Sequence, residues 1–408
     1  MKARSAESKK LAFQDHFTRR NFFKGMGFMS LTSMANCGGE TSNKPTLEVE
    51  IKNPRIPIPT YESIGATPIV NLVHDYTTLG GCLMPPEVKM AMMKAAEQYV
   101  QIDDLMYYVG KRLSELTGAE WGAIFPGAAA CLAASALACM VGTDPERRMY
   151  PPHTEGLKNE CICRSYRGYG RAIWSTGMKV IVARNREEAE AAVNEKTAMM
   201  FGGSDYIIEV GNKYNIPILV DRAALGVSKP IEDLERGADL VAVSGGKIMR
   251  GPQPTGILFG RKDLVDAAFL NMYPHHSFGR ICKLGKEEIM GCLAAVDLYI
   301  NGTDQEALRL EWKRSIEYIN EQITQIPTVT TKVNPPRGPL GYWSLDVGWD
   351  QNTIKISSEE VAKQLLNGTP RIFVRIRGDH IYLETAFAQE GDEIIGARRL
   401  KEIFSSAM

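Results

Sequence analysis

Residues 216–224 read Ile-Pro-Ile-Leu-Val-Asp-Arg-Ala-Ala, and residues 239–256 read Asp-Leu-Val-Ala-Val-Ser-Gly-Gly-Lys-Ile-Met-Arg-Gly-Pro-Gln-Pro-Thr-Gly. Each contains a short apolar run of strand length, and the stretch between them at 231–236 has helical spacing. Two such runs read as neighbouring parallel strands joined by a crossover. Asp221 then lies just past one strand and Lys247 just past the next, at the carboxyl edge where open α/β sheets bind ligands. A lysine in a glycine-rich loop can form a Schiff base with a carbonyl, and a carboxylate nearby can keep a ring nitrogen protonated. Upstream, Phe-Pro-Gly-Ala-Ala-Ala at 125–130 opens an apolar helix with small residues, whose backbone N–H groups can approach an anion. Met singly, these pieces are more often a turn cap, a solvated lysine and close helix packing. Their joint order along one βαβ scaffold reverses that weighting.

Working outward, apolar runs at 178–183, 198–201 and 256–259 join the two strands above, with helical stretches at 186–194 and 204–214. The alternation predicts an α/β fold with a mainly parallel sheet and right-handed crossovers. Two helical patterns occupy 85–118, a short strand 119–125, and an Ala-rich helix 128–141 so uniformly apolar that it must be buried. Helices at 286–300 and 304–325 follow, the second expected to open on Thr303 and Glu306 as a capping box. The order then becomes strand, strand, a helix opened by Ser357 and Glu360, strand, strand, and a last helix at 392–404, which is a small α+β arrangement. The expected organisation is a leader at 1–37, a Gly/Ser/Asn/Pro-rich linker at 38–60, a large domain at 61–302 and a small C-terminal domain at 303–408.

Lys plus Arg and Asp plus Glu each number 48, so the chain has no net field to attract nucleic acid or an anionic membrane. Nucleic-acid binding is therefore disfavoured. The eight cysteines lie mostly in apolar stretches without zinc-ligand spacing, which reads as buried reduced thiols and no metal site. Arg19-Arg20, the aromatics after them and a short weakly apolar stretch resemble a twin-arginine export signal, and Cys37-Gly-Gly resembles a loose lipoprotein cleavage box. The expectation is an exported protein, periplasmic or held to a membrane by a lipid on Cys37, with a cytoplasmic location as the alternative.

The stretches Leu-Thr-Gly-Ala-Glu at 116–120, Gly-Ala-Ala-Ala at 127–130, Asp-Arg-Ala-Ala at 221–224, Ser-Gly-Gly-Lys at 244–247, Arg-Gly-Pro-Gln at 250–253 and Gly-Arg-Lys-Asp-Leu at 260–264 carry a family resemblance. The chain resembles the fold-type I pyridoxal-phosphate enzymes related to bacterial selenocysteine synthase, and within them is most similar to the D-glucosaminate-6-phosphate ammonia-lyase branch. That resemblance implies pyridoxal 5'-phosphate as cofactor, with Lys247 as the Schiff-base lysine and Asp221 as partner of the pyridine nitrogen. It implies Gly127, Ala128, Ala129 and Ser244 as phosphate contacts, and a homodimer or multiple of dimers. Where relatives carry a ring-stacking His, this chain reads Arg-Ser-Tyr-Arg-Gly-Tyr at 164–169, and Tyr166 is the expected stacker.

On the substrate side stand Arg250, Gln253, His275, His276, Arg280 and Arg375. The paired histidines lack the Cys, Asp or Glu at spacing that a metal would need. Arg280 and Arg375 can clamp a carboxylate or phosphate, although Arg371, Arg375 and Arg377 are also expected to share one strand face as a solvated basic stripe. The favoured function is a lyase that abstracts a Cα proton and eliminates a group from Cβ of a small anionic amino compound. A transferase by β-replacement or aminotransfer, and a cofactor-binding protein without turnover, are the alternatives. Because selenocysteine synthase acts on a cytoplasmic aminoacylated tRNA, the export signal and the balanced charge favour a small amine substrate.

Overall fold

The computed structural model describes residues 54–165, 168–229, 231–336 and 341–408, all within one compact unit. Strand β1 (Ile69–Asn71) precedes helices α1 (Pro86–Ala96) and α2 (Ile102–Thr117). The central strands are β2 (Trp121–Phe125), β3 (Glu160–Cys163), β4 (Lys179–Val182), β5 (Thr197–Phe201), β6 (Ile218–Asp221), β7 (Leu240–Ser244) and β8 (Gly256–Gly260). Their helices are α3 (Ala128–Val141), α4 (Arg171–Trp174), α5 (Arg186–Ala192), α6 (Asp205–Tyr214), α7 (Glu232–Glu235) and α8 (Lys262–Leu270). Helices α9 (Lys286–Asp297) and α10 (Gln305–Ile323) lead to β9 (Val329–Asn334), β10 (Ser344–Trp349), α11 (Ser358–Asn367), β11 (Arg371–Phe373), β12 (Arg375–Arg377), β13 (His380–Glu384) and α12 (Asp392–Ala407).

The seven-stranded sheet runs β2-β8-β7-β6-β5-β3-β4. Strands β4, β3, β5, β6 and β7 are parallel, as their alternation with helices demands, whereas β8 is antiparallel to both β7 and β2. The sheet is thus mixed at this edge, a correction to the run at 256–259 as one more crossover strand. The physical reason is the link between β7 and β8: it folds into turns and holds no helix, so the chain returns beside the strand it left.

Helix α3 is built from the best helix former, Ala, and starts at Gly127 (φ +93°). Eleven of its fourteen residues are buried, because it is covered by α8 as well as by the sheet. Two apolar clusters organise the fold. One joins the central sheet, α2, α3, α8 and α9; the other packs Ile316 and Ile323 of α10 and Leu400 and Phe404 of α12 against Leu345, Ile381 and Leu383 of the antiparallel sheet β12-β13-β10-β9. Leu72, just past β1, belongs to the second cluster, and β1 pairs parallel with β11. The N-terminal segment is thereby stapled to the C-terminal region.

The cap of α10 is Asp304 and not Thr303: Asp304 Oδ1 accepts from the N–H groups of Glu306 and Ala307, while Thr303 Oγ1 donates to Leu298 O. An aspartate one residue nearer the helix outcompetes the threonine for the same donors. Ser357 does cap α11, accepting from Glu360 N at 3.2 Å. The three arginines do not share a strand. Val374 separates β11 from β12, Arg371 donates to Leu366 O, and only Arg375 and Arg377 lie against the Tyr382 ring. No helix among the described residues is long and apolar enough to cross a membrane.

Candidate active site

Phe125, Gly256 and Ser244 are register partners across β2, β8 and β7, which aligns the ends of β2 and β7 at one edge of the sheet. Asp221 closes β6 and pairs with Ala242 on β7. Strand alternation sends Asp221 and Arg222 to opposite faces. Arg222 is held by Asp233, its Nη2 2.7 Å from Asp233 Oδ1, on which Arg236 also converges. Burial works to raise the Asp233 carboxyl, but the Arg222 and Arg236 guanidiniums outweigh it and hold the group below its ordinary value. Asp221 lies on the α3 side. Burial above all, and then the nearby Cys292 and Asp221 charges, push the Cys131 thiol of α3 well above its ordinary value. Asp221 Oδ1 accepts from Ala223 N at 2.9 Å, and no described residue donates to Oδ2.

The start of α3 has no side-chain cap, although side chains commonly satisfy the first N–H groups of a helix. Gly127 and Ala128 are half-buried and Ala129 is exposed, so the first-turn donors face open space at the same edge. The close approach depends on glycine at 256, where a Cβ would lie 2.3 Å from Gly127 C and 2.4 Å from Ala128 N. The edge strand and the helix start therefore touch, forming a cradle of backbone donors beside Ser244.

Lys247 sits in the loop between β7 and β8, half-buried, with no hydrogen bond or ion pair to its ammonium among the described residues. The loop is tightly tied. Gly245 N donates to Thr255 O, Gly251 N to Gly245 O and Arg250 N to Lys247 O at 2.7 Å. Arg250 adopts φ +55°, a left-handed conformation that costs a non-glycine residue energy and persists only where surroundings enforce it. Here its Nη2 donates to Ala386 O at 2.9 Å, tying the loop to the segment after β13. On the other side, Cys82 Sγ lies 3.3 Å from Gly246 O and Gln253 Nε2 donates to Thr77 O.

A second group of side chains, which the sequence did not signal, packs against that loop. Asp75 and Glu384 are 4% and 6% exposed, and Asp75 Oδ2, Glu384 Oε2 and Tyr342 Oη are buried without a hydrogen-bond partner among the described residues. His74 Nδ1 pairs with Asp75 Oδ1, and the His74 ring meets Tyr342 and Phe387 at 5.0 and 5.6 Å. Tyr382 Oη donates to Glu384 Oε1 at 2.6 Å. Burial raises the Glu384 carboxyl against the opposing pull of that bond and of His74, Arg375 and Arg377. Burial also raises the Tyr342 phenol, with Asp75 and Glu384 adding to it, and pushes the Cys82 thiol up to about 12. The only hint in the sequence was His-Asp-Tyr at 74–76 ahead of Gly80-Gly81, a run with no regular period.

Of the expected site residues, the structure gathers Gly127, Ala128, Ala129, Asp221, Ser244, Lys247 and Arg250 at one edge. Gln253 is engaged with Thr77, and Arg375 lies over the rings of Tyr76 and Tyr382. His275 is held by Asp103 at 2.9 Å and by Phe269 O at 3.1 Å; His276 is exposed, and Arg280 is exposed over the Tyr273 ring. Tyr166, Cys37 and the paired arginines lie outside the described residues.

The residues fit pyridoxal phosphate on their own terms: an uncapped helix start for a phosphate, a carboxylate with an open oxygen at a neighbouring strand end, and a lysine, these two groups without a further partner among the described residues. A class-V aminotransferase family profile matches residues 200–340. The chain is 27% identical over 380 residues to a D-glucosaminate-6-phosphate ammonia lyase from Salmonella typhimurium, covering 85% of this chain and 98% of that one. It is 27% identical to a 5'-C-glycyluridine monooxygenase-decarboxylase from a Streptomyces species (84% and 91% covered) and 26% identical to an L-seryl-tRNA(Sec) selenium transferase from Moorella thermoacetica (84% and 82% covered). A solved structure of a D-glucosaminate-6-phosphate ammonia-lyase superposes with a TM-score of 0.74 at 26% identity, over 86% of this chain and all of that one. The chain is a pyridoxal-phosphate-dependent enzyme of fold type I, similar to the enzymes of the selenocysteine synthase-like family.

Proposed function

We propose that the protein is a lyase of the ammonia-lyase type, which removes the Cα proton of a small anionic amino compound and eliminates a group from Cβ. The observation that carries the reading is the ammonium of Lys247, unpaired among the described residues and one strand from Asp221, in a chain that spans 98% of an ammonia lyase. Pyridoxal phosphate, when bound, supplies a carbonyl for the substrate amine and a sink for the electrons left at Cα. The N–H groups of Ala128 and Ala129 and the Ser244 hydroxyl would hold its phosphate, with Gly127, whose own N–H donates to Phe125 O at 2.7 Å, giving the backbone room to approach it, and Asp221 would hold its ring nitrogen. Lys247, tethered by a loop with few free torsions, holds its amine at the β7 end, where it can take the Cα proton. Arg250 and Arg375 offer fixed guanidiniums for the substrate's anionic group.

The test is a screen of anionic amino acids with a leaving group at Cβ, read by ammonia and keto-acid release. Release from such a compound is the expected result; turnover only with a second, acceptor substrate would overturn the lyase reading in favour of a transferase. The similarity to a selenium transferase along 84% of the chain makes β-replacement the second reading.

Dimerisation and export belong to the same proposal. Tyr99 and Val100, both exposed, border a groove lined by Met90, Leu105 and Met290 of α1, α2 and α9, an apolar surface suited to a second copy. A monomer by light scattering that still turns over substrate would refute this. Arg19-Arg20 and Cys37 motivate export, and an intact Met1 on protein from the native host would refute that.

A further inference from the structure

Three buried oxygens without a hydrogen-bond partner among the described residues stand together in a recess beside the Lys247 loop, on Asp75, Tyr342 and Glu384. A buried polar atom left unpaired is costly, so a fold that keeps three in one place does not keep them for stability. The side chain they surround is His74. Its Nδ1 pairs with Asp75 Oδ1, Glu384 feels its charge, and its ring meets Tyr342 edge-on at 5.0 Å. The Asp75 side chain is 2% exposed and that of His74 24%, so the carboxylate is sealed behind a ring that still meets open space. Asp75 N lies 3.0 Å from the same ring nitrogen, but the carboxylate is the stronger partner and holds the ring with a hydrogen at Nδ1. No described residue bonds Nε2. The His74 ring also stands between the two guanidiniums offered to the substrate. On one side it meets Phe387 at 5.6 Å, next to Ala386, whose carbonyl accepts from Arg250. On the other it stacks on Tyr76 at 5.8 Å, and Arg375 lies over that ring at 6.0 Å. Cys82, farther along the same segment, reaches Gly246 O at 3.3 Å beside Lys247.

We propose that His74, positioned by Asp75, gives a proton from Nε2 to the group that leaves Cβ. The inference rests on the reading of the Lys247 edge as the place where that group is expelled, and it holds for elimination and β-replacement alike. For a hydroxyl leaving group the atoms balance as follows: Lys247 takes the Cα proton, the electron pair left at Cα forms the bond to Cβ, and the Cβ–O bond breaks. The departing oxygen keeps its electron pair, takes the Nε2 proton and leaves as water. His74 is then neutral, and solvent returns its proton. Nothing is oxidised or reduced. Hydroxide is too basic to leave unaided, so an acid beside Cβ lowers the barrier to its departure.

The test compares ammonia and keto-acid release from serine and from 3-chloroalanine by the cofactor-loaded enzyme. Chloride leaves without a proton; hydroxide does not. His74→Gln should lower release from serine by about 10²–10⁴-fold and from 3-chloroalanine by less than about threefold. Asp75→Asn should show the same contrast, with at least about a tenfold loss on serine, because the ring loses its orientation while the base at Cα is untouched. Equal losses on both probes, or no loss on serine, would overturn the proposal and leave Lys247 to return the proton itself. A second measurement needs neither turnover nor a variant that folds: modification of the wild type by diethyl pyrocarbonate, mapped by mass spectrometry. Nε2 of His74 should be modified, and 2-methylserine, which has no Cα hydrogen to lose, should shield it while the exposed His153 reacts as before. Release from both probes with His74 unshielded sinks the acid and spares the lyase reading. Shielding without release from either probe sinks the lyase reading and keeps His74 at the substrate.

Discussion

The edge that holds Asp221, Ser244 and Lys247 and the recess that holds Asp75, Tyr342 and Glu384 flank one loop, but they are built differently. The edge residues come from two successive strand ends, remain half-buried at Asp221 and Lys247, and keep open atoms toward a ligand. The recess residues come from the segment after β1, the approach to β10 and the end of β13, and Asp75 and Glu384 are sealed from solvent. The edge needs only the central sheet to exist. The recess needs the N-terminal segment, the Lys247 loop and the antiparallel sheet seated together, through Leu72 in the second cluster and Arg250 on Ala386. The difference separates two ways of placing a side chain: by local geometry at the edge, and by the joining of remote segments in the recess.

Substitutions at the edge should give the largest effects. Lys247→Ala should abolish the covalent tie to the cofactor and lower turnover by at least about 10²–10⁴-fold, the usual contribution of a positioned base, with little change in melting temperature. The measurements are borohydride trapping with peptide mapping, and single-turnover rates. A pyridoxyl group mapped to another lysine would break the assignment. Asp221→Asn should follow with a slower Cα-proton exchange, by roughly 10²-fold, while cofactor remains bound, because a neutral partner no longer favours the ring cation. Unchanged exchange would remove Asp221 from that role.

These residues were legible because each lay in a local pattern. Asp221 and Lys247 follow apolar runs of strand length, and Gly127 precedes a helix whose composition left it no exposed face. Illegible were features set by remote pairing. The direction of β8 is the exception, a local signal that its apolar run masked: the turn-rich link from β7 holds no crossover helix, and β2 pairs on its far side. The strand at Glu160–Cys163 and the helix Lys262–Leu270 escaped notice because a four-residue strand and a nine-residue helix give little periodicity. Asp75 and Glu384 read as ordinary charged residues in sequence. Only the joined fold withdraws them from water.

Between edge and recess in expected size stands Gly256→Ala. The added Cβ meets the backbone of Gly127 and Ala128 at 2.3 and 2.4 Å, where no side chain can yield, so α3 must shift away from β8. The expected loss is about 1–3 kcal/mol of stability, as for other overpacked sites, together with weaker cofactor binding as the donor cradle opens. Thermal unfolding and cofactor titration read the two effects. Undiminished affinity in a destabilised variant would separate the cradle from the phosphate.

The smallest effect, and the one that most sharpens the comparison, is the pH dependence of stability at Glu384. Burial raises its carboxyl above the ordinary value in the folded state, so ionisation is harder there than in the unfolded chain. Below the unfolded pKa of about 4.3 both states are protonated and the group contributes nothing. As pH rises through the window between the unfolded and the folded pKa, the unfolded chain releases its proton first and native stability falls. Above the folded pKa the penalty is constant. Glu384→Gln cannot ionise, so it should gain on the wild type as pH rises from 4 to 7, on the order of 1 kcal/mol for one buried polar group, and show no relative gain below pH 4. Thermal unfolding at a series of pH values reads the difference directly. A variant whose relative stability does not change with pH would mean that Glu384 is already satisfied in the native state, and the contrast between an open edge and a sealed, unsatisfied recess would lose its carboxylate.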